Sequence, residues 1–318
     1  MQRKLLTGIL AATMIVGLCG CEPLYREEQA NYKELALAEM AGENYDKAIE
    51  YIDEALGLCT GKITSTEVEL NYYKGAALFS QKKYDEAVAC YSALIEYDGS
   101  YFEPYFLRGS VYAKMGDFAK ASEDFNKAID LDPQNYDLYI KIYDVASLSG
   151  HDAEASKFID KALSLQNDKA DGYTARGRIY YYLGSYDAAQ SELQKAIDKG
   201  SSEAKVYLAK VYEDRGDDAT AKTLLTEYVN TGKGNSEAMC SLGNMALEAG
   251  QYKEALGYFQ TGIEIDDAKS KQELYRGEIT ALEYLGEFKD AKLKMAKYLE
   301  EYPTDEKAAR EMVFLQTR

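Results

Sequence analysis

The chain of 318 residues contains no tryptophan, a single histidine, four prolines and five cysteines. With His151 as the sole imidazole, histidine-based acid–base catalysis, most zinc sites and nucleophilic triads are excluded unless they use this residue. The cysteines outside the N-terminal pair are odd in number and scattered. They favour small apolar core residues over a disulfide scaffold, although a disulfide between Cys59 and Cys90 stays open. The sequence therefore predicts a protein that is no enzyme and holds no metal or cofactor.

The charge balance is strongly acidic, with 37 Lys and Arg against 54 Asp and Glu and a net charge of −17. Such a surface is repelled by the phosphates of nucleic acids and by anionic lipid headgroups. We therefore predict no nucleic-acid partner. The 46% of apolar residues and the scarcity of proline are compatible with an extended helical protein.

The N-terminus has the pattern of an export signal. Arg3 and Lys4 precede an apolar stretch over 5–18, which is shorter than the roughly 20 residues that span a bilayer. The following Leu18, Cys19, Gly20 and Cys21 resemble the lipobox of bacterial lipoproteins.

That resemblance implies removal of 1–20, lipidation of Cys21, and a location on the outer side of the cell membrane. Two acyl chains on Cys21 would give stable anchoring, whereas one gives only marginal binding. The alternative is an ordinary signal peptide with a chance cysteine. Residues 21–29 are predicted to form a short tether, with its later part open to helix formation.

Internal repetition organises the rest of the chain. An alanine inside a Tyr/Phe-x-x-Ala cluster recurs in steps of 39, 34, 34, 34, 32, 34 and 36 residues. In six units a glycine lies five residues before this alanine, and apolar residues recur at the three- and four-residue intervals of short amphipathic helices. The marker alanines are Ala48, Ala87, Ala121, Ala155, Ala189, Ala221, Ala255 and Ala291.

This pattern predicts an all-α fold, an α-α superhelix (solenoid) of about eight helix-turn-helix repeats over 30–305. Residues 306–318 are predicted to form a solvating capping helix with an apolar stripe of Ala308, Ala309, Met312 and Leu315. The segment 230–235, rich in glycine and asparagine, is the expected hinge. Gly109, Gly177 and Gly243 are expected to let helices pack closely.

The third unit resembles the tetratricopeptide repeat family, whose signature spans 34 residues. The matching residues are Tyr105, Gly109, Tyr112, Gly116, Phe118, Ala121, Phe125, Ala128 and Pro133. The fifth unit matches similarly, but tyrosine or another residue replaces the family's tryptophan throughout. The resemblance implies a binding surface on the first helix of each unit, at its second, fifth, ninth, twelfth and thirteenth positions. An acidic residue at the second position in seven units is interpreted as complementing the helix dipole.

On those positions the sequence offers a set of aromatic and basic residues for binding a partner. The predicted partner-binding residues are Tyr72, Phe106, Arg178, Tyr181, Tyr182, Lys210 and Arg276. Aromatic faces beside a guanidinium suit an acidic or aromatic peptide segment, or a glycan. The favoured hypothesis is a membrane-anchored, extracytoplasmic scaffold that binds a protein or peptide. The alternative is a lipoprotein that binds cell-wall glycan.

Overall fold

The computed structural model describes residues 21–58, 62–265 and 270–318, and these residues form helices and no β-strand. The described residues fall into two compact units divided between Ala162 and Leu163. The predicted hinge at 230–235 therefore does not coincide with this division. Instead, a π-helical turn, Val229–Lys233, lies there within the second unit.

The first unit consists of four helical hairpins. Its helices are α1 (Cys21–Ala41), α2 (Tyr45–Gly57), α3 (Ser65–Ser80), α4 (Tyr84–Tyr97), α5 (Glu103–Met115), α6 (Phe118–Leu131), α7 (Tyr136–Leu148) and α8 (Asp152–Leu163). The last of these ends at the division. Consecutive helices from α1 to α7 pack against each other, so each hairpin buries the apolar stripe of its neighbour.

The second unit contains four more hairpins and a final helix. Its helices are α9 (Ala170–Tyr182), α10 (Tyr186–Asp198), α11 (Ala204–Asp214), α12 (Asp218–Tyr228), α13 (Ser236–Glu248), α14 (Tyr252–Ile263), α15 (Lys271–Tyr284), α16 (Phe288–Glu301) and α17 (Glu306–Leu315). The described helices thus make eight hairpins, and the predicted all-α repeat fold is confirmed.

The turn within each hairpin requires a left-handed residue. In six hairpins a glycine occupies this place, as in Gly116 with φ of 82°. The first two hairpins make the same turn with Glu43 and Lys82, at φ of 57° and 62°. Because a side chain in this conformation costs roughly 1–2 kcal/mol, the glycines seen in the sequence have a clear physical reason.

Close packing at the predicted helical glycines is also confirmed. A Cβ atom added to Gly109 would lie 2.7 Å from the Phe125 ring, and one added to Gly243 would lie 2.4 Å from the Phe259 ring. Gly177 has the same relation to Leu193, at 2.5 Å. The first helix of these hairpins can therefore approach the second only where it lacks a side chain.

The capping helix α17 packs against the last hairpin through part of its predicted apolar stripe. Ala308 and Leu315 are buried against the last hairpin, and Met312 is partly buried. Ala309, however, is exposed. On the outer side Val313 is 65% exposed and Phe314 54% exposed, so the outer face of this predicted solvating helix is not purely polar.

The predicted tether over 21–29 also differs from the structure, because helix α1 begins at Cys21. Gln29 is only 3% exposed, and its amide donates hydrogen bonds to the carbonyl of Ala55 and to Glu67. The predicted signal segment 1–20 and Cys59 lie outside the described residues. Within the described ranges, no helix has the length and apolar character needed to cross a membrane.

Candidate partner-binding site

The predicted partner-binding residues of the first unit are half-buried. Tyr72 on α3 packs against the cluster that contains Tyr91. Burial, together with the nearby Glu103, raises the pKa of Tyr72 to about 12. Phe106 on α5 lies with its ring centroid 6.1 Å from that of Phe125. Both side chains therefore contribute to packing as well as to the surface.

In the second unit, the structure brings Arg178 and Lys210 together on one tyrosine. The guanidinium carbon of Arg178 lies 4.9 Å from the ring centroid of Tyr207, and the ammonium of Lys210 lies 5.7 Å from it. Lys210 also forms an ion pair with Glu237 on the next first helix. The contacts of a cation with an aromatic face are favourable, so this group links α9, α11 and α13.

The two adjacent tyrosines of α9 have different environments. Tyr181 is half-buried, with its ring centroid 6.1 Å from that of Tyr186. Burial and the carboxylate of Asp214 raise the pKa of Tyr181. Tyr182 is 49% exposed. A partner would therefore meet the ring of Tyr182, while Tyr181 mainly packs the hairpin.

Arg276 contacts side chains of the last two helices of the second unit. Its guanidinium lies 2.5 Å from the carboxylate of Glu311 on α17 and 5.6 Å from the ring centroid of Tyr298. Its contacts are thus with α16 and α17, whereas those of Arg178 and Lys210 are with α11 and α13. Arg276 helps to attach the capping helix and does not join the group around Tyr207.

Tyr207 is not among the predicted partner-binding residues, because it lies outside the expected surface positions. The acidic residues at the second positions have a further role besides complementing the helix dipole. In the structure, Glu69 forms an ion pair with Lys33, and Glu237 forms one with Lys210. The available signal was a lysine on one first helix followed by an acid at the start of the next.

The contacts of this site are suited to binding. The described residues include no group of three or more His, Cys, Asp and Glu side chains that could hold a metal ion. His151 stacks on Phe118, with ring centroids 3.9 Å apart, in the first unit. The arrangement around Tyr207 offers ring faces, hydrogen-bonding groups and charges, which are the usual parts of a protein interface.

The fold defines an all-α helical repeat protein. Sequence models of protein families match the chain in three stretches. One described as TPR repeat matches residues 75–116, and two described as tetratricopeptide repeat match 102–135 and 174–235. The chain is a tetratricopeptide repeat protein. Repeats of this family generally serve as non-enzymatic scaffolds for protein–protein interaction.

Several solved structures are similar in fold. A tetratricopeptide repeat protein from Parabacteroides merdae is 16% identical, with 80% of this chain and 99% of that chain covered and a TM-score of 0.46. PilF of Pseudomonas aeruginosa is 16% identical, with 68% and 98% covered and a TM-score of 0.46. YrrB, described as a TPR protein with an unusual peptide-binding site, is 23% identical, with 59% and 96% covered and a TM-score of 0.39. No curated protein matches the chain.

Proposed function

We propose that this protein is a membrane-anchored, extracytoplasmic scaffold that binds a protein or peptide segment on the first helices of its repeats. The observation that carries the proposal is the exposed side chain of Tyr182, one helical turn after Arg178 on α9, together with the contacts of Arg178 and Lys210 with the Tyr207 ring. The lipobox-like residues before and at Cys21 support the anchor.

The binding mechanism follows from these side chains. Tyrosine and arginine are the residues that most often dominate interface energetics, because each offers a large contact area and directional polar groups. Tyr207 holds Arg178 and Lys210 close to its ring, which reduces the side-chain entropy that binding would cost. The scaffold would hold its partner near the membrane, with no covalent step.

The first prediction concerns the partner. Replacing Arg178 and Tyr182 together by alanine should reduce capture of the native partner at least about tenfold, since two interface anchors are lost. Crosslinking in native cells followed by quantitative mass spectrometry measures this. A matched control replaces an exposed tyrosine and an exposed arginine elsewhere, Tyr97 and Arg310. Unchanged capture in the Arg178/Tyr182 variant would reject this site.

The second prediction concerns the anchor. Cys21→Ala should move the protein from the membrane fraction to the soluble fraction and abolish incorporation of labelled fatty acid, because the acyl chains supply the membrane affinity. Cys19→Ala is the control and should leave both properties intact. A Cys21→Ala protein that stays in the membrane fraction without an acyl group would contradict the lipidation proposal.

A glycan partner is the second candidate, and one contact favours it. The rings of Tyr252 and Tyr284 stack with centroids 4.6 Å apart and planes 3° apart, and Tyr284 is 62% exposed. A flat exposed aromatic face can stack on a sugar ring. Wall polymer that co-purifies with the native protein, and is lost in Tyr284→Ala, would favour this candidate over a peptide.

A further inference from the structure

The aromatic side chains of this chain include 29 tyrosines and no tryptophan. Indole and phenol rings are the aromatic groups from which a single electron is most easily removed. Without tryptophan, an electron lost from an aromatic side chain of this protein comes from a tyrosine. A tyrosine that loses an electron and its hydroxyl proton becomes a phenoxyl radical, and two such radicals join when their rings touch. Oxidative joining therefore requires two tyrosines in ring contact, with access for an oxidant.

Tyr252 and Tyr284 meet both requirements. Their rings stack with centroids 4.6 Å apart and planes 3° apart. Offset parallel rings at this separation are in van der Waals contact, with carbon atoms about 3.5–4 Å apart. Tyr284 is 62% exposed and Tyr252 is half-buried, so an oxidant in the solvent can reach the pair.

The packing of α14 against α15 fixes the position of these two rings. A Cβ atom added to Gly277 would lie 2.4 Å from the ring of Phe259, so the two helices are very close at this contact. Tyr252 lies seven residues before Phe259 on α14. Tyr284 lies seven residues after Gly277 on α15. Seven residues make about two helical turns, so the glycine contact and the tyrosine pair share one antiparallel register and one face of each helix.

The repeat architecture brings the same two places together elsewhere in the second unit. Tyr186 begins α10 and Asp214 ends α11, and the hydroxyl of Tyr186 donates a hydrogen bond of 3.0 Å to the Asp214 carboxylate. The start of a second helix thus meets the end of the next first helix. At the equivalent places of the other junctions the sequence has no second pair of tyrosines. Examples are Tyr84 with Lys114 and Phe118 with Leu148.

We infer that Tyr252 and Tyr284 are a site of oxidative cross-linking, at which the two phenols join as dityrosine. Each phenol loses one electron and its hydroxyl proton. The two radicals then form a carbon–carbon bond between the ring positions next to the oxygens. Each bonded carbon releases its proton while its oxygen regains one, which restores both aromatic rings. Hydrogen peroxide, acting through a peroxidase, accepts the two electrons and two protons and becomes two molecules of water.

The cross-link would connect the start of α14 to the end of α15, and so fix the seventh hairpin to the eighth. It would add a covalent bond that thiols do not supply here, because Cys90 and Cys240 are free and form no disulfide. The inference does not rest on the scaffold proposal, since it uses neither the lipid anchor nor a binding partner.

Oxidation of the dilute, purified full chain with peroxidase and limiting hydrogen peroxide tests the inference. Trypsin releases Tyr252 in the peptide 234–253 and Tyr284 in the peptide 277–289, and each peptide contains one tyrosine. Mass spectrometry should find these two peptides joined with the loss of two hydrogen atoms. Their yield should exceed that of any other pair of joined peptides at least about tenfold, because the stacked rings have a high effective concentration.

Two variants separate this pair from general oxidation of exposed tyrosines. Tyr284→Phe keeps the aromatic ring but removes the hydroxyl, and it should abolish the joined peptides. Tyr97→Phe, at a tyrosine that is 53% exposed, is the matched control. It should change the yield less than about twofold, because Tyr97 takes no part in the stack. The fraction of chains joined should be equal at about 1 and about 20 µM protein, because the reaction is intramolecular.

Three outcomes would overturn the inference. The first is absence of the joined peptides while free tyrosine is coupled in the same reaction. The second is a product made mainly of two copies of the peptide 277–289, since this product joins Tyr284 residues of different chains. The third is an undiminished yield in urea-unfolded protein, because coupling would then not depend on the stacked arrangement.

Discussion

Replacing Arg108 by leucine should destabilise the protein by about 3–5 kcal/mol, whereas replacing Arg108 and Asp124 together by leucine should be close to neutral. Arg108 donates two hydrogen bonds of 2.8 Å to the carboxylate of Asp124, and Asp124 is buried. The single change leaves a buried carboxylate without its cation. The double change removes both charges and supplies apolar surface in their place.

The other repeats indicate that the site accepts leucine. The same two positions, sixteen residues apart, hold Arg176 and Glu192 in the fifth repeat and the reversed pair of Glu278 and Lys294 in the eighth. In three further repeats they hold apolar pairs. These are Ile142 with Phe158, Leu208 with Leu224, and Leu242 with Tyr258. In these six repeats the fold thus uses either a matched ion pair or two largely apolar side chains at one place between the helices, whereas the second repeat holds Lys74 and Cys90 there.

Urea unfolding of the full chain, followed by circular dichroism, measures both variants. The exposed Lys114 on the same helix provides a control, since Lys114→Leu should change the free energy of unfolding by less than about 0.5 kcal/mol. A double variant as unstable as Arg108→Leu would show that the ion pair itself, and not the penalty for breaking it, supplies the stability.

The second large effect is a loss of stability in acid that depends on Glu67. This buried carboxylate accepts hydrogen bonds from the backbone and hydroxyl of Thr64 and from the amide of Gln29. Burial alone would raise its pKa, but these hydrogen bonds outweigh burial and lower the pKa to about 2. The stabilisation is therefore complete above the unfolded-state pKa of about 4.3. It is lost as the pH falls toward about 2, and amounts to about 3 kcal/mol at most.

Comparing the wild type with Glu67→Gln at about pH 7 and about pH 3 isolates this contribution. The wild type should lose more stability than the variant over that interval, because the variant has no carboxylate to protonate. Glu86→Gln, at an exposed acid in the first turn of α4, is the control and should keep the wild-type dependence. Parallel pH dependence of the wild type and Glu67→Gln would contradict the assignment.

The repeat architecture could be predicted because it depends on local rules that recur along the chain. The turn glycines, such as Gly116, occur where the backbone must be left-handed. The helical glycines, such as Gly109, occur where a side chain of the neighbouring helix packs directly against the backbone. Both requirements leave a periodic trace in the sequence. The charged pair of Arg108 and Asp124 also left such a trace, because opposite charges recur at the same two positions of the fifth and eighth repeats. This trace is visible only when equivalent positions of different repeats are compared.

The candidate site could be predicted only in part, because it depends on side-chain contacts between different helices. Arg178 contacts Tyr207 and Arg276 contacts Glu311, and in both cases the contacted residue lies on a different helix. Such contacts follow from the three-dimensional packing and cannot be seen in the sequence. The different exposure of Tyr181 and Tyr182 likewise depends on how α9 rotates against α10. The charge that a surface presents to a partner is likewise not predictable from the sequence, because the structure is needed to show which lysines and arginines already form contacts within the protein.

The helical start of α1 has a consequence for the distance between the proposed anchor and the first repeat. From Cys21 to Gln29, whose side chain is fixed by Ala55 and Glu67, the chain is helical. Eight helical steps of 1.5 Å cover only about 12 Å, less than half the reach of the same residues when extended. If Cys21 carries lipid, this short helix would hold the first repeat close to the bilayer and leave it little freedom to move away.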